Sequence, residues 1–449
     1  MNEVKISIIG AGSAVFSLNL VRDIILTPNL NGSTISLMDI NEERLNAVYL
    51  LGKRYINEAN AKFKFEKTTN RRESLKDADF VINTALVAGH DRLKKGWEIA
   101  KKYGYRFGGS FHVMHDEAFW INFYQFKLFD SILNDVLEVS PNAWYVQLAN
   151  PVLAGITYLS RKYKKVKIVG LCHGFTGVYH LADVLGLKKE EISFQIPGVN
   201  HFIWLTHFYY RGENAFPIID DWIRKEATTY WKKCYPSCDL GPKAIDLHQK
   251  FGVFPIGDTC TPGGGSWPWW YHINEENEKR WNEDPKAWWE SYFAHGKRRV
   301  EELINLSKDT SASVSNRFPL KKSNEIIVPL IESIVCDIPR VLQVNIQNSN
   351  NFVPGIPSNF EVEIPALVSK KGIQGIETEG LPKPLTMYAI RDRVAPVEVE
   401  LEAYESKNKE LLVELLMMDP WTKSRELAVN FLEDILSLPY HEDMRKHYK

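Results

Sequence analysis

VKISIIGAGSAVF, residues 4–16, decides the fold. Its first half is a β-branched run of the kind that fills a strand buried on both faces. Its second half is a tight glycine turn that opens directly into a segment with helical apolar spacing, SAVFSLNLVRDIIL (13–26). In such a turn Gly10 and Gly12 let backbone amides and a helix N-terminus approach a pyrophosphate, with Ser13 and Phe16 as the turn's further candidate contacts. Val15 stands where the usual spacing places a third glycine. Asp39 closes the next strand-like run, TISLMDI (34–40), where a carboxylate accepts ribose hydroxyls and repels a 2′-phosphate; this favours NAD over NADP. Asn83 ends the strand in DFVINTALVAG (79–89), where the nicotinamide and its ribose are expected. The plainer alternative is a glycine turn that packs helix on strand, with Asp39 as a helix cap.

Outward from this stretch the alternation continues. NEERLNAVYLLGKRYINEA (41–59) reads as a helix with Asn41 as its N-cap, and WYVQLANP (144–151) and VKIVGLCHG (166–174) read as further strands. Strands alternating with helices imply right-handed crossovers and a parallel sheet, hence an α/β, Rossmann-like doubly wound fold. We expect this domain over residues 1–195. Residues 196–449 are expected to form an α+β domain that carries substrate, metal and subunit contacts: NHFIWLTHFYY (200–210) is strand-like, 340–348 and 359–368 suggest strands of a second sheet, and 395–437 is helical in pattern. His207 and Tyr209 are expected to support the core.

Composition narrows the function classes. The chain has 449 residues, with 55 basic against 56 acidic side chains and a net charge of -1, which leaves no electrostatic footprint for nucleic acid or an anionic membrane. No long apolar run suggests a spanning helix, so a cytoplasmic location is expected. Five cysteines in a chain of this length do not make a disulfide framework.

Cys172, beside His173 in GLCHGFTGVYH (170–180), follows a buried strand; His201 lies in PGVNHFIWL (197–205). Both sit near the expected carboxyl edge of the sheet, so a borderline divalent ion fits between one thiolate and one imidazole, with open positions for substrate oxygens. A packed thiol and a hydrogen-bonded structural histidine are the alternative. Cys234 and Cys238 have no second ligand pair with zinc-finger spacing. A simple 2-hydroxy-acid dehydrogenase also fits the glycine turn, but it requires a histidine base and an arginine clamp, and no such pair follows these strands.

GAGSAVF, LMDINEERL, DFVINTA, QLANP, GLCHG, GVNHFIWL, FPIGDT and the closing EDMRKHY occur in this order over nearly the whole chain. In this the sequence resembles glycoside hydrolase family 4, the NAD- and divalent-metal-dependent glycosidases on a lactate/malate-dehydrogenase-like fold. The resemblance implies that Cys172 and His201 bind a metal, usually Mn2+, and that Asn150 contacts sugar hydroxyls. It implies transient oxidation at sugar C3 by NAD+, removal of the C2 proton, elimination, water addition and re-reduction, which sets the family apart from two-carboxylate glycosidases. Asp258 of FPIGDT matches the family's GD turn, and we expect it to be the C2 base; a turn-forming aspartate after Gly257 is the alternative. Asp116 of HVMHDEAF lies where alpha-specific relatives carry a second functional aspartate, with Glu117 an equal alternative. His173 after the ligand cysteine resembles members acting on unphosphorylated alpha-glucosides or alpha-glucuronides. The resemblance also implies a homodimer or homotetramer. One departure stands out: TCTPGGGSWPWWYH (259–272) replaces a shorter segment with an early arginine, and two readings stand side by side, a rebuilt leaving-group subsite in which Trp267 and its neighbours stack on a sugar ring, or a surface loop with the tryptophans tucked under it.

Overall fold

Residues 3–13, 15–87, 89–234 and 238–449 are described by the computed structural model of the chain; Ala14 of the glycine turn, Ala88 and the centre of CYPSC (235–237) lie outside the described residues. The first half builds six parallel strands: β1 (Lys5–Ile9), β2 (Thr34–Met38), β3 (Lys64–Thr68), β4 (Phe80–Asn83), β5 (Trp144–Gln147) and β6 (Lys167–Gly170). Their spatial order is β3-β2-β1-β4-β5-β6, the doubly wound arrangement whose topological switch lies between β1 and β4. In register, Ile6 pairs with Ile35 on one side and Phe80 on the other. Alternation along each strand then loads both faces. Ile6, Ile8, Phe80, Ile82 and Val146 join one core, while Ile9, Val81 and Tyr145 join the other.

The helices obey the expected end chemistry. Glu42–Glu58 is capped by Asn41, whose Oδ1 accepts from the Arg44 amide at 3.0 Å. Val15–Ile25 has no acidic residue in its own first turn to oppose an anion at its N-terminus.

In the second half the strands are β7 (Ile192–Gln195), β8 (Gly198–Val199), β9 (Phe202–Leu205), β10 (His207–Tyr210), β11 (Glu213–Asn214), β12 (Phe254–Pro255), β13 (Arg340–Gln347), β14 (Glu361–Ser369) and β15 (Gly372–Gly375). The expected second sheet over 340–368 is corrected. β13 pairs antiparallel with β6 through Asn345 and Gly170, and β14, β8, β9 and β12 follow, so these strands extend the first sheet. The expected single strand over 200–210 is divided: β9 joins the large sheet and β10 a separate three-stranded one. His207 and Tyr209 stack on each other at that smaller sheet, with Tyr209 38% exposed, so they do not fill the core as expected. β3 carries the polar sequence KFEKT on the sheet edge, where pairing rather than apolar burial defines it. No helix of the described residues is long and apolar enough to cross a membrane.

Candidate active site

Gly10 has φ +84°, and a Cβ there would lie 2.6 Å from the Ala85 Cα, so the turn after β1 closes against the end of β4 only with glycine. The Gly12 amide donates to Asp39 Oδ2 at 2.7 Å, and the Asn41 amide to Asp39 Oδ1 at 2.8 Å. Asp39 therefore ties the glycine turn to the end of β2; each of its oxygens keeps a lone pair for a further donor. Ser13 is exposed and shares a hydroxyl contact with Ser17 at 2.9 Å, and Phe16 is half-buried. Around this opening stand apolar side chains that sequence reading missed: Ile40 is 88% exposed, Leu86 40% and Val87 47%. They follow β2 and β4 at the carboxyl edge, where a ligand's flat apolar surface would cover them.

Asn83 corrects an expectation. It is fully buried, donating to Tyr145 Oη at 2.9 Å and Gln147 Oε1 at 3.2 Å while accepting from the Ala85 amide at 3.1 Å. Those contacts spend both ends of its amide, so the side chain braces β4 on β5 and does not reach into the cleft.

The next strand ends bring the metal-ligand candidates together. Cys172 follows β6, and His201 lies in the two-residue turn between β8 and β9, whose Val199 pairs with Phe202. His201 has φ +58°, a left-handed conformation that costs a non-glycine residue about 1–2 kcal/mol and persists where surroundings impose it. Asp258 comes from the turn after β12. There Gly257 has φ +56°, and its absent Cβ would lie 2.0 Å from the Gly174 carbonyl oxygen, so the two turns meet backbone to backbone. As a result one ligand atom each from Cys172, His201 and Asp258 lies within 4.8 Å of the others.

Electrostatics and hydrogen bonds fix these groups. Burial pushes the Cys172 thiol well up. Burial also pushes His201 down to about 4. Burial opposes ionisation of Asp258, but His201, His173 and the Thr261 hydroxyl together hold its carboxyl below the usual range. Thr261 donates to Asp258 Oδ1 at 2.8 Å. His201 Nδ1 lies 3.4 Å from Glu117 Oε1, and neither atom has a hydrogen-bond partner among the described residues. The buried carboxyl of Glu117 therefore stands beside Nδ1, and Nε2 is the ring's other nitrogen.

Sequence-adjacent to Glu117, Asp116 accepts from Asn150 Nδ2 at 3.3 Å, so the two candidates for sugar and acid contacts touch. His115, Asp116 and Glu117 form a second cluster of ligand-type atoms within 4.8 Å. The Glu117 amide donates to His115 Nδ1 at 3.3 Å, which makes Nε2 the protonated nitrogen that donates to the Gly263 carbonyl at 2.7 Å. His173 is exposed beside this centre.

The chain matches the family 4 glycosyl hydrolase model over residues 5–187 and that family's C-terminal domain over residues 196–422. The chain belongs to glycosyl hydrolase family 4. It is 26% identical to an alpha-galactosidase of Bacillus subtilis, over 99% of this chain and 100% of that protein. It is 25% identical to an alpha-galacturonidase of Lachnoclostridium phytofermentans, over 97% of this chain and 96% of that one. A 6-phospho-alpha-glucosidase from gut microorganisms, solved in complex with NAD and Mn2+, superposes with a TM-score of 0.79 at 15% identity, covering 98% of each chain. The malate dehydrogenase of Cryptosporidium parvum superposes over 90% of this chain and 99% of its own with a TM-score of 0.52 at 17% identity, so the chain shares a dehydrogenase-like fold.

Trp267 corrects the remaining expectation for this family 4 hydrolase. It is 1% exposed, donates from Nε1 to Asp392 Oδ2 at 2.7 Å and packs against Phe202 with ring centroids 4.9 Å apart. Its faces are covered by protein and do not meet a sugar. The Trp-rich loop is an internal brace: Arg393, fully buried in a π-helical turn, lies over the Phe111 ring at 4.2 Å and donates to the Gly264 carbonyl at 2.9 Å.

Proposed function

We propose that this family 4 hydrolase cleaves unphosphorylated alpha-glycosides, alpha-glucosides or alpha-glucuronides, with NAD+ and a divalent metal, Mn2+ or an equivalent, as cofactors. The observation that carries the reading is the meeting of Cys172, His201 and Asp258 at the carboxyl edge of a dinucleotide-type sheet. A thiolate and an imidazole suit a borderline divalent ion, and the glycine turn with Asp39 suits NAD+. When bound, NAD+ supplies a hydride acceptor for sugar C3 and the ion a Lewis acid for the O2–O3 edge.

The chain's own residues do the rest. Cys172 and His201 hold the ion. Asp258 is the base at C2: Thr261 occupies Oδ1, and Oδ2 faces the Cys172 side, where a Cβ placed on Gly174 would lie 3.8 Å from the sulfur and 3.9 Å from Oδ2. A carboxyl kept ionised in a buried site is ready to accept that proton. Asp116 is the acid that protonates the departing oxygen, positioned by Asn150, which also binds sugar hydroxyls. His173, exposed at the mouth, contacts the sugar beyond the O2–O3 edge. Arg393 is turned into the fold and so is not presented to a sugar phosphate. The names of the relatives, alpha-galactosidase and alpha-galacturonidase, accord with an alpha-linked sugar without a phosphate.

The test is hydrolysis of 4-nitrophenyl alpha-D-glucoside and alpha-D-glucuronide in D2O under reducing conditions, with NAD+ and Mn2+ supplied together or singly withheld. Cleavage requiring both additives, with deuterium at C2 of the released sugar, is expected. Cleavage without deuterium incorporation would reject the mechanism, and NADH accumulating from a hydroxy acid would restore a dehydrogenase. Glu117→Gln should weaken Mn2+ binding about tenfold or more, because the carboxyl that orients His201 is lost. Calorimetric titration with Mn2+ checks this, and unaltered affinity would reject the orienting role.

A further inference from the structure

The helix Pro285–Lys308 begins with Asp284 accepting from the Ala287 amide at 2.9 Å, and its first two turns carry WWESYF (288–293). Trp289 and Phe293, one helical turn apart, face inward. They are 3% and 8% exposed, and the Trp289 ring lies 5.3 Å from Trp97 and 5.7 Å from His115. Trp288 and Tyr292 have the same spacing one position earlier, which rotates them onto the neighbouring face. Their rings stack 5.3 Å apart at 8°, and Tyr292 is 47% exposed. The inner pair thus fixes the helix and the outer pair presents a flat aromatic surface.

That surface adjoins the reacting carboxylates. A Cβ on Gly263 would lie 2.9 Å from Asp258 Oδ1 and 3.5 Å from Trp288 Cη2, so the bare glycine backbone packs closely between the carboxylate and the indole edge and brings the two to one place. The Tyr292 phenol is pushed up to about 12, first by burial and then by the charges of Asp116 and Asp258. Depth separates the parts of a substrate. The ligand cluster is buried, with His201 5% exposed, whereas the stack stands half-open at the mouth. A sugar whose O2–O3 edge meets the buried cluster directs its departing group outward.

We propose that Trp288 and Tyr292 form the leaving-group subsite, which selects aglycones presenting an uncharged flat face, either an aryl ring or the C–H face of a neutral sugar. This rests on the glycosidase reading above. Aromatic faces bind both ligand types through apolar area and ring electrostatics, while a methyl aglycone is too small to cover them.

The experiment measures kcat/KM for 4-nitrophenyl, disaccharide and methyl alpha-glycosides of one sugar, with NAD+ and Mn2+, in the wild type, Trp288→Ala, Trp288→Phe and Tyr292→Ala. Each alanine variant should lower the preference for 4-nitrophenyl over methyl about tenfold, through KM rather than kcat, and Trp288→Phe should restore it to within about threefold. An equal fall in the disaccharide preference assigns the natural leaving group to sugars; a fall confined to the aryl substrate assigns it to aryl aglycones. Preferences unaltered in both alanine variants overturn the subsite. Wild-type protein that neither cleaves these substrates nor exchanges deuterium into C2 of the free sugar overturns the glycosidase reading before any variant is made, so the two failures are distinguishable.

Discussion

Cys172→Ser should lower glycoside turnover about a thousandfold while leaving NAD+ binding intact. A serine hydroxyl does not ionise at working pH, so the substitution removes the soft anionic donor and keeps the shape. What is lost is charge stabilisation at the O2–O3 edge worth several kcal/mol, which is about three decades in rate. Mn2+ affinity should fall at least about a hundredfold, beyond what loss of an orienting neighbour does. NAD+ titration serves as the control, because the glycine turn and Asp39 lie at the ends of β1 and β2, away from the end of β6. Asp39→Ala should give the reverse pattern, weak NAD+ and normal Mn2+. Turnover above about a tenth of wild type in Cys172→Ser would remove Cys172 from the metal site, since no loss of a ligand at the reacting edge is that small.

The reach of sequence reasoning in this chain follows the kind of signal each element carries. β1, β2, β4, β5 and β6 are short apolar runs because both faces are covered, and that pattern is visible without coordinates. β3 is KFEKT, an edge strand whose evidence is its hydrogen-bonded neighbour, and no periodicity announces it. The hairpin between β8 and β9 was hidden for a related reason. Asn200 and His201 form the turn, but histidine is not a turn residue by propensity, and its φ of +58° is held by tertiary contacts. Asn200 is fully buried and donates through its amide side chain to Glu363 at 3.0 Å, a pairing between distant segments.

The site divides in the same way. Cys172, His201 and Asp258 were legible because resemblance ties residue type to position, and the fold does bring them together. Asn83 and Trp267 were misread because sequence shows that a side chain is polar or aromatic but not which way it faces; Tyr145, Gln147 and Asp392 claim them from within. Glu117 was legible as one of two carboxylates, and the 3.4 Å approach to His201 is what sets its place apart from that of Asp116. Trp288 and Tyr292 lay in a stretch of weak periodicity. Their signal was the doubled i, i+4 aromatic pair in WWESYF, which yields two faces, one buried and one open.

His441 should take stability away from the fold as pH drops from about 6.5 to 4, against the buried carboxyls of Glu278, Glu363 and Asp419, whose raised values act in the opposite direction. The ring is fully buried against Tyr124, with Nδ1 3.0 Å from its hydroxyl. Burial first, then Arg92 and Arg445, pushes its pKa from 6.5 down to about 4. Above pH 6.5 the ring is neutral in folded and unfolded chains, and it contributes no slope. Between 6.5 and 4 the unfolded chain takes a proton that the folded one refuses, so the unfolded state binds more protons and stability falls with pH. From the shift to about 4, this single ring removes about 2 kcal/mol by pH 5 and about 3 kcal/mol by pH 4. His272, fully buried and held well below its usual value by burial, with Lys243 and Arg106 adding to the effect, acts in the same direction. Urea unfolding of wild type and His441→Gln at pH 7 and pH 5 isolates the contribution, because glutamine keeps a polar group near Tyr124 but does not titrate. The stability lost between the two pH values should be about 2 kcal/mol smaller in the variant. Equal losses in both proteins would mean that the folded chain admits the proton at His441, either through water reaching the ring or through movement of Arg92 and Arg445 away from it.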